Sequence, residues 1–298
     1  MLTGIHILLT YKCLYECDHC FVYSSPQAEG TFTLNQITNV HDEAEKIGTI
    51  EWIYFEGGEP TLYYPLLIEG IKSAAKRGFK TGIVTNAFFA ATEEDAMLWL
   101  KPLAELNVQD LSISNDTFHS DDPESSTALI ALKAARKLGI KTGSISIDKP
   151  HTVCAEVSGK PGKPVVGGDV MFRGRAVEKL TAGLPLKQWD EFNSCPWEDF
   201  VNPERVHVDA YGNVHLCQGI SMGNMWETPL SELVKNYDAY KHPISKYIIK
   251  GGPAALAKKY GVQHLEGYID VCHLCFDVRK KMLEKFPEYL SPKQVYGL

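Results

Sequence analysis

The sequence predicts an α/β fold: a curved, open sheet of six βα units, a partial (βα)6 TIM-like barrel, followed by a small α+β C-terminal domain. Three observations predict it. Apolar residues alternate between short strand-like runs and helix-period segments up to about residue 175. Strand starts at 51, 79, 110 and 140 recur close to one βα unit apart, about 30 residues. From about residue 190 that repeat stops, and a hairpin pattern and scattered helices take over. Six units fall short of the eight that close a barrel, so the sheet stays open. The expected boundary divides the chain into 1–189 and 190–298.

The elements follow in order. "GIHILL" is a short buried strand. In "TLNQITNVHDEAEKIG", Leu34, Ile37, Val40, Ala44 and Ile47 recur at helical spacing. Thr33 and Gln36 have capping-box spacing, and Gly48 stands where a C-terminal cap belongs. "EWIYF" is a strand, "LLIEGIKSAAKRG" a helix stopped by Gly78, and "FKTGIVTN" a strand. A helix over 92–106 starts at Thr92 and Asp95. "DLSIS" is a strand, "STALIALKAARKLG" a helix ending at Gly139, and "IKTGSISI" a strand. "GDVMF", 168–172, is the expected sixth strand. The Pro, Gly and Lys content of 148–168 predicts a long loop. "RVHVDAYGNVHLC" is a hairpin around "YGN", and "PLSELVKNY" and "DVRKKMLEKF" are helices.

Composition narrows the function. The 298 residues carry a net charge of −7, and no run of Lys or Arg forms a nucleic-acid stripe. No stretch reaches the roughly 18 to 20 apolar residues of a membrane span. The first residues lack a basic n-region and a small-residue cleavage site. The expectation is a cytoplasmic protein with neither nucleic acid nor membrane as partner. Eight cysteines in a reducing compartment argue for metal ligation over disulfides.

The cysteines fall into two sets. Cys13, Cys17 and Cys20 read C-x3-C-x2-C directly after the first strand, at the sheet end where catalytic groups gather. Three thiolates suit a [4Fe–4S] cluster with one open iron, whereas a structural zinc more often takes four ligands in tighter pairs. The spacing alone leaves both open. "FEGGEPT" ends the second strand: Gly57 and Gly58 permit close backbone approach, Glu59 adds a carboxylate, and Pro60 stiffens the turn.

These two motifs, in this order, distance and strand context, resemble the radical S-adenosylmethionine (SAM) enzymes over about residues 5–175. That family carries C-x3-C-x-Φ-C after the first strand and GGEP after the second. His19 fills the Φ position, usually aromatic. The resemblance implies an open iron that binds the amino and carboxylate groups of SAM. It implies one-electron cleavage to a 5′-deoxyadenosyl radical, which abstracts hydrogen from substrate. It also implies a flavodoxin- or ferredoxin-type electron donor. By the same resemblance, Gly57, Gly58 and Glu59 meet the methionine amino group, Asn86 follows the third strand, and Ser114 and Asp116 lie near the ribose. The backbone near Phe21 meets adenine. Arg173 in "FRGRA" is suited to the SAM carboxylate or a substrate anion, because a guanidinium fork binds carboxylates bidentately. No individual catalytic side chain stands out.

Cys195, Cys217, Cys272 and Cys275 form the second set, with Cys217 ending the hairpin and Cys272 and Cys275 in "CHLC". Four thiolates close either a cluster or a zinc site. The arrangement resembles the twitch domain, a shortened SPASM auxiliary-cluster domain, which implies a second [4Fe–4S] cluster. Cys154 is left over as a free thiol. The reading is a radical SAM oxidoreductase on a small molecule or peptide, the second cluster accepting an electron. Its alternatives are a maturase that cross-links a ribosomal peptide, and an iron–sulfur carrier or assembly protein. A methionine-binding turn has no use in a carrier.

Overall fold

The computed structural model describes residues 1–157 and 160–298, with side chains for all of these but 155–161. The first half holds β1 (Gly4–Thr10), α1 (Leu34–Ile47), β2 (Trp52–Gly57), α2 (Tyr64–Lys76), β3 (Lys80–Thr85), α3 (Glu93–Glu105), β4 (Asp110–Ser114), α4 (Thr127–Lys137) and β5 (Thr142–Ile145). A ribbon of β6 (His151–Val157) and β7 (Lys160–Gly167) follows, then α5 (Ala176–Lys179) and β8 (Lys187–Gln188). The remainder is β9 (Arg205–Asp209), β10 (Asn213–Cys217), β11 (Ile220–Asn224), α6 (Leu230–Asn236), α7 (Ser245–Tyr260), β12 (Gly267–Tyr268) and α8 (Val271–Lys280). Among the described residues, no helix is long and apolar enough to cross a membrane.

The main sheet has eight strands in the order β11-β10-β9-β1-β2-β3-β4-β5. From β9 to β5 the neighbours run parallel. Strand periodicity sorts its two faces. Ile5, Ile7, Leu9, Ile53, Phe55, Ile83, Leu111 and Ile113 are buried in the core under the helices. The alternate positions, among them His6, Leu8, Tyr54, Glu56, Gly82, Val84 and Ser114, face the concave side. Gly82 opposes Tyr54 in register, and a Cβ there would lie 2.2 Å from the tyrosine ring.

Helix α1 is capped as its sequence predicts: Thr33 Oγ1 accepts from Gln36 N at 3.3 Å, and Gln36 Oε1 accepts from Thr33 N at 2.8 Å. Thr92 and Ser126 cap α3 and α4 by accepting from Asp95 N and Leu129 N. The hairpin around "YGN" forms as β9 and β10.

Three sequence expectations need correction. Residues 168–172 form no strand; the sixth parallel strand is β9, beside β1 at the other end of the parallel set. Val170 and Phe172 pack instead with Ala176 and Ile269, and the Phe172 amide donates to Asp270 Oδ2 at 3.2 Å. Burial without a partnering edge gave that run its strand-like look. The expected loop 148–168 contains the ribbon β6–β7, whose alternation was masked by its prolines and glycines; residues 158–159 of it lie outside the described residues. The last helix begins at Val271 rather than in "DVRKKMLEKF", because Asp270 caps it through His273 N at 2.7 Å.

His41 and His242 are buried in this core, and burial pushes both down to about 4. In His242, Nδ1 accepts from Ser245 N at 3.0 Å and Ile244 N at 3.2 Å, so protonation there breaks two contacts. A depressed histidine leaves stability intact above its unfolded value of about 6.5 and erodes it as pH falls toward the folded value. The expected loss is about 2 kcal/mol per histidine at pH 5. Denaturant unfolding at pH 7.5 and pH 5 should show it, with His242→Gln recovering one histidine's share. A variant with the wild-type pH slope would refute this account.

Candidate functional site

Leu8, Glu56, Val84, Ser114 and Ile145, from the carboxyl ends of β1 to β5, line a cavity of about 320 Å³. The loops after β1 to β5 and the segment Asp169–Arg173 supply its other walls. This is the sheet end at which the sequence places the chemistry.

Cys13, Cys17 and Cys20 all line the cavity. Backbone bonds shape their loop: Cys13 N donates to Ser25 O and Cys20 N to Cys17 O, both at 3.0 Å. Arg175 clamps it, with Nη1 on Cys17 O at 2.9 Å and Nη2 on Ser24 O at 2.7 Å. From the far end of the chain, Gln294 Nε2 reaches Tyr23 O at 2.9 Å and Val22 O at 3.2 Å. Sulfurs receive N–H groups too: Tyr15 N on Cys13 Sγ at 3.4 Å, Ser24 N on Cys20 Sγ at 3.3 Å, and Asn86 Nδ2 on Cys13 Sγ at 3.6 Å.

The residues suit a metal centre. Burial pushes the thiols of Cys13 and Cys17 up to about 11 and about 12. Such thiols stay protonated at neutral pH unless a metal takes the place of the proton.

The turn after β2 is pressed against the cysteine loop. A Cβ on Gly57 would lie 2.3 Å from Thr10 O, and one on Gly58 2.2 Å from Lys12 O. Gly57 also sits at φ 145. Gly58 N and Glu59 N then donate to Thr10 O and Lys12 O at 2.7 and 2.9 Å. Both glycines line the cavity as well. Glu59 is fully buried and does not line it. Its Oε1 accepts from Thr61 N, Thr61 Oγ1 and Thr85 Oγ1 at 2.9, 2.5 and 2.9 Å, and its Oε2 from Asn86 N at 2.8 Å. Burial raises its pKa while these donors favour the ionised form.

Of the other sequence candidates, His19, Phe21, Asn86, Ser114 and Arg173 line the cavity, whereas Pro60 and Asp116 do not. Pro60 opens the turn behind Glu59. Asp116 braces the loop after β4, accepting from His119 Nδ1 at 2.8 Å, Phe118 N at 3.0 Å and Ile147 N at 3.2 Å. Burial alone would raise its pKa, but these donors hold it low. His19 packs 4.3 Å from the Phe118 ring, and its buried Nδ1 has no partner. Burial pushes it down to about 4, so it is neutral.

Cys195, Cys217, Cys272 and Cys275 come together around a second, tighter cavity, with Cys272 and Cys275 one turn apart on α8. Two arginines share its wall, Arg173 and Arg279. Arg173 lines both cavities; its Nη1 lies 3.3 Å from Cys217 Sγ, and its guanidinium lies 5.0 Å from the centre of the Phe21 ring. Burial pushes the Cys272 thiol far up and Cys275 to about 11. Cys154 is exposed on β6, apart from both sets.

Sequence reasoning passed over a triad on the concave face. Glu56 accepts from His6 Nδ1 at 3.0 Å and from His207 Nδ1 at 2.6 Å, and it lines the first cavity. Burial opposes its charge, but the two imidazoles hold its pKa well below the usual range. The available signal was polar residues at inward positions of "GIHILL", "WIYFE" and "RVHVD". Arg175 was also missed, though "FRGRA" places two arginines in one turn.

Glu59→Ala leaves Thr61 N and Asn86 N buried without an acceptor, at about 1–3 kcal/mol each. Chemical denaturation should show a loss of about 3 kcal/mol or more. Glu59→Gln should also destabilise, since an amide NH2 then faces donors. An alanine variant within 1 kcal/mol of wild type, about the size of an ordinary surface change, would refute this bracing role.

Comparison with known proteins agrees with this geometry. Residues 7–151 match the profile of the Radical SAM superfamily. The chain is 34% identical over 113 residues to the tungsten-containing aldehyde ferredoxin oxidoreductase cofactor-modifying protein of Pyrococcus furiosus, covering 38% of this chain and 30% of that protein. It is 29% identical over 133 residues to the Bacillus subtilis peptide biosynthesis protein YydG, covering 45% and 42%. The chain thus matches less than half the length of either relative. The crystal structure of BtrN in complex with AdoMet and 2-DOIA superposes with a TM-score of 0.50 at 16% identity, over 79% of this chain and 83% of that one, a likeness of fold. With its cysteine loop and Gly-Gly-Glu-Pro turn joined at the carboxyl edge of a parallel sheet, the chain carries over residues 7–151 the motifs and profile of the radical SAM superfamily.

Proposed function

We propose that this chain is a radical SAM oxidoreductase, with SAM and its cluster bound within residues 1–189 and a second four-iron cluster held by the cysteines of 190–298. The observation that carries the reading is the shared wall: two cysteine-lined cavities meet at Arg173. The superfamily implies a [4Fe–4S] cluster and SAM. Bound here, these supply a 5′-deoxyadenosyl radical, and a second cluster supplies a one-electron acceptor.

The chain's own residues have distinct parts in this reading. Cys13, Cys17 and Cys20 hold the first cluster. Gly57, Gly58, Asn86, Ser114 and the backbone at Phe21 shape the SAM site, and Glu59 and Asp116 brace it from behind. His19 and Val84 help exclude water. Glu56, kept ionised by His6 and His207, places a fixed negative charge on the cavity wall. Cys195, Cys217, Cys272 and Cys275 hold the second cluster. The charges of Arg173 and Arg279 offset the negative charge of a thiolate-held centre there.

A substrate the size of one side chain or a small metabolite suits a cavity of about 320 Å³. The name of the Bacillus relative favours a peptide, and that of the Pyrococcus relative a cofactor. A flavodoxin- or ferredoxin-type protein is the proposed electron donor. The cavity argues against a carrier, which needs no enclosed site beside its cluster.

Anaerobically reconstituted protein should hold about eight iron, four per cluster. Replacing Cys13, Cys17 and Cys20 by alanine, or Cys272 and Cys275 by alanine, should each leave about half. The reduced wild type should form 5′-deoxyadenosine from SAM, and Cys17→Ala should form none. Zinc with only four iron would remove the second cluster. A loaded, reduced protein that forms no 5′-deoxyadenosine would return the carrier reading.

A further inference from the structure

The four residues Phe172–Arg175 are bonded to both cysteine sets at once. Toward the second set, Phe172 N donates to Asp270, the cap of the helix that carries Cys272 and Cys275, and Arg173 Nη1 donates to Cys217 Sγ. Toward the first, Arg175 N donates to Cys20 O at 2.9 Å, and the Arg175 guanidinium spans Cys17 O and Ser24 O. Gly174 makes this contact possible. It sits at φ 60, and a Cβ there would lie 2.5 Å from both Cys20 O and the Phe21 Cα.

The two arginines of the second cavity are not equivalent. Arg279 spends its donors on Gln218 O at 2.8 Å, Tyr296 Oη at 3.1 Å and Cys275 O at 3.2 Å. Arg173 donates through Nη1 to Cys217 Sγ at 3.3 Å, and its buried Nε has no partner; Arg279 faces Cys275 as well. A cation donating to a ligand sulfur favours the form of the centre that carries more negative charge, which is the reduced form. At 3.3 Å the two groups are in direct contact, which limits screening by solvent.

We infer that Phe172–Arg175 is a splint that fixes the two cysteine sets relative to each other, and that Arg173 within it raises the reduction potential of the distal centre. Arg173 is then a positioning and tuning residue. It makes the distal centre an easier electron acceptor on the side that faces the SAM cavity. The inference rests on the reading of Cys195, Cys217, Cys272 and Cys275 as holders of a four-iron cluster.

The test is a potentiometric titration of the reconstituted holoenzyme without SAM, followed by electron paramagnetic resonance. Wild type, Arg173→Gln and Arg173→Lys are compared, with iron and zinc counted beforehand. The expected result is a distal midpoint shifted to more negative potential in Arg173→Gln. Arg173→Lys, which keeps the charge, should restore most of that shift. The first centre, titrated in the same samples, should move less. Two loaded centres with an unchanged distal midpoint in Arg173→Gln would overturn the inference and leave the proposed function standing. Zinc in place of the distal iron would overturn both, and the metal count identifies that case before any titration.

Discussion

The candidate site depends on one buried carboxylate. Glu59 has no contact with solvent, yet four donors from the ends of β2 and β3 converge on it. Desolvating a carboxylate is costly, and only a full set of donors offsets the cost. Once that set is made, Asn86 is fixed so that its amide reaches Cys13 Sγ, and Gly57 and Gly58 lie flat on Thr10–Lys12. Three strand ends and the cysteine loop are thereby held in one arrangement.

The second half of the chain is joined to this arrangement through charge as well as apolar packing. Asp209, fully buried at the end of β9, accepts from Tyr11 Oη at 2.9 Å, His215 Nε2 at 3.1 Å and Asn213 Nδ2 at 2.9 Å. It fixes the "YGN" turn against the start of the cysteine loop. The parallel pairing of β9 with β1 then carries His207 onto the concave face beside His6 and Glu56. With Arg173 and Arg175 on the other side, both cysteine sets belong to one bonded framework.

Much of this was legible in the sequence because it is local. The cap of α1 needs only Thr33 and Gln36, the strands β1 to β4 only their alternation, and the cysteine loop and turn only their spacing. What was hidden is long-range. No pattern in "RVHVD" says that its neighbour lies about 200 residues earlier in β1, so the sixth parallel strand was sought at 168–172 instead. That run has the apolar content of a strand but finds its amide partner in Asp270, about 100 residues later. The triad of His6, Glu56 and His207 is invisible for the same reason, since it exists only across three strands. Arg173 was noticed for its chemistry, but its place between two cavities depends on the tertiary fold.

The contact of Gln294 with Val22 and Tyr23 also sets the order of biogenesis. The loop around Cys13, Cys17 and Cys20 is made early in synthesis, yet these bonds come from a residue 272 and 271 positions downstream. Arg175 likewise arrives more than 150 residues after the cysteines whose loop it clamps. While the ribosome is still extending the chain, the cysteine loop lacks its arginine clamp and then its C-terminal latch. Its finished shape therefore depends on residues made long after its cysteines, and a cluster delivered before they emerge meets a loop without its clamp.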